Sequence, residues 1–152
     1  MSVHVALVKT EEEKISSEKA KKFITSEKNG AESIFVGKVR NENDRKKVTA
    51  VTYDAHDQAV IKSFKSICQN AKNKFDKNAK IFLEHAKGYV PVGEISILIA
   101  GGSGHRDEAF KICRYILEEV KHQSPIWKKE HYVDGKEEWL PGHSLRPKKN
   151  IK

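Results

Sequence analysis

The strongest constraint on the fold is the run Ile95-Ser96-Ile97-Leu98-Ile99-Ala100. With a single hydroxyl among six residues, neither face suits water, so the run reads as a central strand covered on both sides. Such a strand needs covering layers, and the chain supplies helices for them. Ala109, Phe110, Ile112, Cys113, Ile116, Leu117 and Val120 recur at helical spacing. They form a broad apolar face on a helix that starts near His105-Arg106 and stops at Ser124-Pro125. Val60, Ile61, Phe64, Ile67, Cys68, Ala71 and Phe75 predict a second helix over residues 57–75. A shorter helix is capped by Ser16 or Ser17 and runs to Ser26, ahead of the Asn29-Gly30 break.

Further strands are predicted over Val3–Val8, Ser33–Val39, Val48–Tyr53 and Ile81–His85. Gly37 inside the second of these suggests a bulge or a close backbone approach. Asn41 to Lys47 reads as a charged loop, Gly88 to Gly93 as a turn-rich connection, and Gly101 to Gly104 as a turn leading into a helix. Asp134-Gly135, flanked by Ile126–Val133 and Glu137–Leu140, signals a hairpin. Interleaved strands and helices give an α+β fold: an α/β sandwich with a mixed, largely antiparallel sheet, covering helices and a C-terminal β-hairpin. A length of 152 residues favours one domain, residues 1–142. Residues 143–152 read as a basic, mobile tail, or one ordered only by a partner.

The net charge of +8 permits non-specific attraction to nucleic acid or acidic lipid. The lysines are dispersed, however, and no aromatic stacking platform accompanies them, which argues against a nucleic-acid partner. The two cysteines, Cys68 and Cys113, lie on apolar helix stripes and read as free, buried thiols. The seven histidines lack paired-ligand spacing, so no metal site is expected. No signal-type segment or membrane-spanning run is seen, and a cytoplasmic setting is the default.

Lys121 falls in the last turn of its helix, where a cation complements the helix dipole. Lys128 and Lys129 are neighbours in a predicted strand, so one faces inward and one outward. An inward lysine beside Trp127 would be desolvated and usable as an acid or base, and Glu130 shares the face of Lys128. Gly101 to Gly104, with His105 and Arg106, reads either as an anion-binding helix start or as an ordinary strand-to-helix turn. Arg40, at a strand end, reads as a fork for phosphate or carboxylate, or as a surface arginine. His85 sits mid-strand with a core or edge role.

Taken together, several segments resemble the large, catalytic subunit of molybdopterin synthase. They are Ser33 to Asn41, Val90-Pro91-Val92-Gly93-Glu94, His105 to Phe110, and Lys121 followed by Pro125-Ile126-Trp127-Lys128-Lys129-Glu130, with Gly135 and Trp139 beyond. The chain departs from the family at Ala86, where an arginine is usual. The resemblance implies a fold of the α/β-hammerhead type and sulfur transfer to cyclic pyranopterin monophosphate, forming a dithiolene. The sulfur donor it implies is the Gly-Gly thiocarboxylate tail of a ubiquitin-like small subunit. It carries over Lys121 and Lys128 as catalytic residues, Arg40, His105, Arg106 and Phe35 as substrate-binding, and Glu130 as supporting. It further implies a homodimer with one small subunit at each end, a pocket drawing on both large subunits, and no cofactor. Two other readings are a basic RNA-binding α/β domain and a non-catalytic adaptor for a ubiquitin-like partner.

Overall fold

The computed structural model describes residues 1–141; the tail expected over residues 143–152 lies outside them. These residues form eight strands and three helices, in the order β1 (Val3–Lys9), α1 (Ser17–Ile24), β2 (Ala31–Lys38), β3 (Glu42–Asn43), β4 (Lys46–Ala55), α2 (Asp57–Phe75), β5 (Lys80–Pro91), β6 (Ile95–Ser103), α3 (Arg106–Gln123), β7 (Ile126–Tyr132) and β8 (Glu137–Trp139). The sheet order is β2-β6-β5-β4-β7-β8, with β1 added beside β5 and β3 beside β4. Among the described residues only the β1–β5 pair is parallel, so the sheet is mixed and largely antiparallel.

The apolar run predicted to be central is central. In β6, every residue from Ser96 to Ser103 is buried. Two adjacent glycines show how tightly both faces are covered. A Cβ on Gly101 would meet Ile112 of α3 at 3.1 Å, and one on Gly102 would meet the Ile24 carbonyl oxygen of α1 at 2.8 Å. Successive residues point to opposite faces, so α3 covers one face and α1 the other. This corrects the reading of Gly101 to Gly104 as a glycine-rich turn. Gly101 and Gly102 are strand residues whose missing side chains admit the helices, and only Gly104 and His105 connect to α3.

Two other connections also turn out to be paired backbone. Gly88 to Pro91 continue β5 and pair with Tyr53 to Ala50 of β4, which leaves only Val92 to Glu94 as turn. The strand survives a glycine and a proline because it changes partner there: β1 pairs with residues 81–87 and β4 with residues 88–91. Gly88 sits at the handover with φ 119°, and a Cβ there would collide with the Thr10 hydroxyl. The expected loop Asn41 to Lys47 is a hairpin, with Glu42 and Asn43 paired to Lys47 and Lys46. Its two turn residues, Asp44 and Arg45, both adopt left-handed backbone, with φ 52° and 68°. That is the geometry of a two-residue hairpin turn, here built without glycine.

Several local expectations hold. Ser16 caps α1 by accepting the Lys19 N–H at 3.4 Å. The strand register slips at Gly37, where a Cβ would meet Ile97 Cγ2 at 2.6 Å. Cys68 and Cys113 are free and buried. Among the described residues no helix is long and apolar enough to cross a membrane.

Left-handed backbone at a residue other than glycine costs about 1–2 kcal/mol. Arg45→Gly is therefore expected to stabilise the protein by about 1 kcal/mol, part of the relief being offset by glycine's extra chain entropy. Urea unfolding of the variant beside the parent protein measures it.

Candidate active site

Pairing of β4 with both β5 and β7 brings several polar residues of the interior together. Tyr53 of β4 lies opposite Lys128 of β7 on one side and opposite Gly88 of β5 on the other. The Tyr53 ring stands edge-on to His85 of β5, with centroids 4.9 Å apart. His85 is 1% exposed, and its Nδ1 lies 2.8 Å from the Ala86 carbonyl oxygen. A carbonyl only accepts, so Nδ1 carries the proton and Nε2 is the bare acceptor. Ala86, the position that departs from the family pattern, points to the opposite sheet face from His85.

Burial is the main force lowering the His85 pKa, to about 4; the Ala86 hydrogen bond opposes it, and Lys121 and Lys128 push the same way as burial. Both lysines therefore face His85, one from the last turn of α3 and one from β7. Lys128 is half-buried, and burial foremost lowers its pKa, with the Arg40 guanidinium adding to the effect and Glu130 opposing it. Arg40 thus joins the group from the segment after β2. Glu130 is 3% exposed and accepts from Asn43 Nδ2 at 2.8 Å and from the Tyr132 hydroxyl at 2.9 Å. Tyr53 is buried, which raises its pKa; its hydrogen bond with Ser96 works against this, and Glu130 adds to it.

Lys129 belongs to the other face. Its ammonium lies 3.1 Å from Glu137 and 5.3 Å from the Trp139 ring centroid. The expected division of the adjacent lysines into one inward and one outward is what the strand produces. Phe35, on the edge strand β2, is 37% exposed. His105 and Arg106 are exposed at the start of α3. Sixteen residues of helical rise separate His105 from Lys121, about 24 Å. A single chain therefore gathers Arg40, Lys121, Lys128 and Glu130, and leaves His105 and Arg106 at the far end of the helix.

Residues 10–123 match the family model described as MoaE protein. The chain belongs to the MoaE family. The molybdopterin synthase catalytic subunit of Synechococcus elongatus is 41% identical over 126 residues, covering 83% of this chain and 76% of that one. That of Dictyostelium discoideum is 39% identical over 123 residues, covering 80% and 78%. The crystal structure of molybdopterin synthase from Staphylococcus aureus superposes with a TM-score of 0.81 at 27% identity, covering 93% of this chain and 98% of that one. A complex of subunits 1 and 2 of the molybdopterin-converting factor from Helicobacter pylori superposes at 0.72 with 21% identity, covering 95% and 93%, a likeness of fold.

In this MoaE-family chain neither thiol is poised to attack. Burial pushes Cys68 up to about 12 and raises Cys113, whose Sγ donates to the Ser33 carbonyl at 3.2 Å. Among the described residues no group of three or more His, Cys, Asp or Glu side chains could hold a metal ion.

Sequence reasoning did not place Tyr53, His85 or Asn43 at the site. Tyr53 and His85 look like ordinary inward strand residues. Only the pairing of β4 with β5 and with β7, between segments more than thirty residues apart, puts them beside the lysines.

The buried neutral His85 makes a stability prediction. Its folded pKa is depressed, so its contribution is complete above pH 6.5 and is lost as pH falls towards about 4. Between pH 7 and pH 4.5 the parent protein is expected to lose on the order of 2–3 kcal/mol more than His85→Phe, which keeps a ring against Tyr53. Urea unfolding at the two pH values tests this, and equal losses would remove His85 as the titrating group.

Proposed function

We propose that this protein is the catalytic subunit of a molybdopterin synthase. It transfers sulfur from the thiocarboxylated C-terminus of a ubiquitin-like small subunit to cyclic pyranopterin monophosphate, forming the dithiolene. The observation that carries this reading is the convergence of Lys121 and Lys128 on a buried neutral imidazole, with Arg40 acting on Lys128, in a chain of the MoaE family. The nucleophile is the partner's thiocarboxylate sulfur, and the buried, protonated state of both cysteines agrees with a protein that contributes no sulfur of its own. Opening a cyclic phosphate and expelling oxygen need proton transfer and charge stabilisation. A lysine with a lowered pKa supplies an ammonium able to give up its proton, and a second cation nearby stabilises the developing negative charge.

The placement of His105 and Arg106, about 24 Å along α3 from Lys121, supports a homodimer. In that assembly each site takes Arg40, Lys121 and Lys128 from one protomer and His105 and Arg106 from the other. Phe35, exposed on the edge strand, lines the approach to the substrate. The Helicobacter pylori complex of subunits 1 and 2 supports a second, smaller subunit as the partner, and we place one on each large subunit. The reaction is placed in the cytoplasm, and neither nucleic acid nor membrane is needed as a partner.

Conversion of cyclic pyranopterin monophosphate, with a thiocarboxylated small subunit supplied, tests the reading. Lys121→Ala and Lys128→Ala are each expected to lower the rate by about 100-fold or more. Lys129→Ala, on the opposite strand face, should stay within severalfold of the parent protein. Comparable losses at Lys128 and Lys129 would overturn the assignment, as would full turnover with both inward lysines removed.

A further inference from the structure

Glu130 is a nearly fully buried carboxylate that the proposed chemistry does not consume. Taking it out of water is costly unless its oxygens find donors. Each oxygen has one. Tyr132, two residues along the same strand face, donates to Oε1 at 2.9 Å; Asn43 donates to Oε2 at 2.8 Å from 87 positions away in the sequence. Asn43 reaches it because Asp44 and Arg45 fold the chain back in left-handed backbone, φ 52° and 68°. Lys46, paired with Asn43 across that turn, lays its ammonium 5.1 Å from the Tyr132 ring centroid and 3.1 Å from Glu138. The turn therefore grips the carboxylate twice, directly through Asn43 and indirectly through Tyr132. Adjacent strained residues persist where the surroundings over-determine them, and this turn is tied to a buried charge beside Lys128.

We propose that Asn43 and Tyr132 are positioning residues: they fix the Glu130 carboxylate as an oriented counter-charge beside Lys128, and the strained Asp44–Arg45 turn exists to deliver Asn43 there. Lys128 is faced by Arg40 from the segment after β2, by His85 from β5 and by Glu130 on its own strand. Glu130 is faced by Tyr53 from β4 and by Tyr132. Of the charges facing Lys128, only Glu130 favours the ammonium form, against burial and Arg40. A carboxylate held by two donors keeps that influence constant; one that has lost a donor turns away or draws in water, and the lysine becomes easier to deprotonate.

The proposal rests on the reading of Lys128 as catalytic, but its test does not use turnover. Trace labelling with acetic anhydride over a pH series, read at Lys128 by mass spectrometry, gives the titration of that amine in the whole protein. Glu130→Gln is expected to shift the Lys128 titration to lower pH. Tyr132→Phe, which removes one oxygen, and Asn43→Leu, which keeps the bulk but no donor, should shift it the same way by smaller amounts. Tyr132→Phe is the arm least able to disturb folding, so it decides if Asn43→Leu fails to fold. A Lys128 titration unmoved in Glu130→Gln, or moved there but unmoved in Tyr132→Phe, would overturn the proposal while leaving the Lys128→Ala result untouched. Conversely, an active Lys128→Ala enzyme with the expected titration shifts would sink the catalytic reading and leave the positioning network standing.

Discussion

The architecture depends on the long strand β5 and on its change of partner at Gly88. Up to Lys87 the strand belongs to a two-faced core, flanked by β1 and β6. From Gly88 onward it pairs with β4, which carries β7 and β8 on its other side. The crossing is so close that a Cβ at Gly88 would collide with Thr10, and the backbone there takes a φ of 119°. A side chain would have to be fitted into a conformation that L-residues avoid and a space already filled. The site forms at this junction because His85 comes from one pairing region and Tyr53 and Lys128 from the other.

At the junction the electrostatics follow from burial. Charged groups held out of water are costly unless paired or hydrogen-bonded. The protein responds differently at each group. His85 gives up its charge, since burial and two neighbouring lysines all favour the neutral ring. Lys128 is pushed towards neutrality but not isolated, because Glu130 opposes burial and Arg40. Glu130 keeps its place through Asn43 and Tyr132. A neutral imidazole between two amines adds an acceptor to the site without a third positive charge. Catalytic sites commonly keep groups with shifted pKa values in this way, at some cost to stability.

On the opposite face of the same strands the polar residues remain near water and pair locally. Thr52 bonds His131 at 2.7 Å, and Lys129 pairs with Glu137 at 3.1 Å. The two faces differ in what lies against them: Lys128 faces His85, Arg40 and Glu130, and Lys129 faces Glu137 and Trp139.

Local pattern by itself determined much of this protein. The apolar run at Ile95 required a doubly covered strand, helical spacing set out α2 and α3, Gly37 marked a bulge, and strand alternation turned Lys128 inward and Lys129 outward. Those features depend on neighbours in the chain, and their physics is readable there. The errors came where a local signal had a distant cause. Gly101-Gly102 looked like a flexible turn but is a gap for two helices, and Gly88 to Pro91 looked like a connection but is a strand changing partner. Asn41 to Lys47 looked like a loop because its turn lacks glycine. Helical spacing already set His105 and Arg106 a helix length from Lys121, but the tertiary structure alone decided that His85, Tyr53 and Asn43 belong with the lysines. Contacts between residues 32 to 87 positions apart, such as Tyr53 with His85 and Asn43 with Glu130, leave no period or spacing in the chain. They appear only when the strands have found their partners.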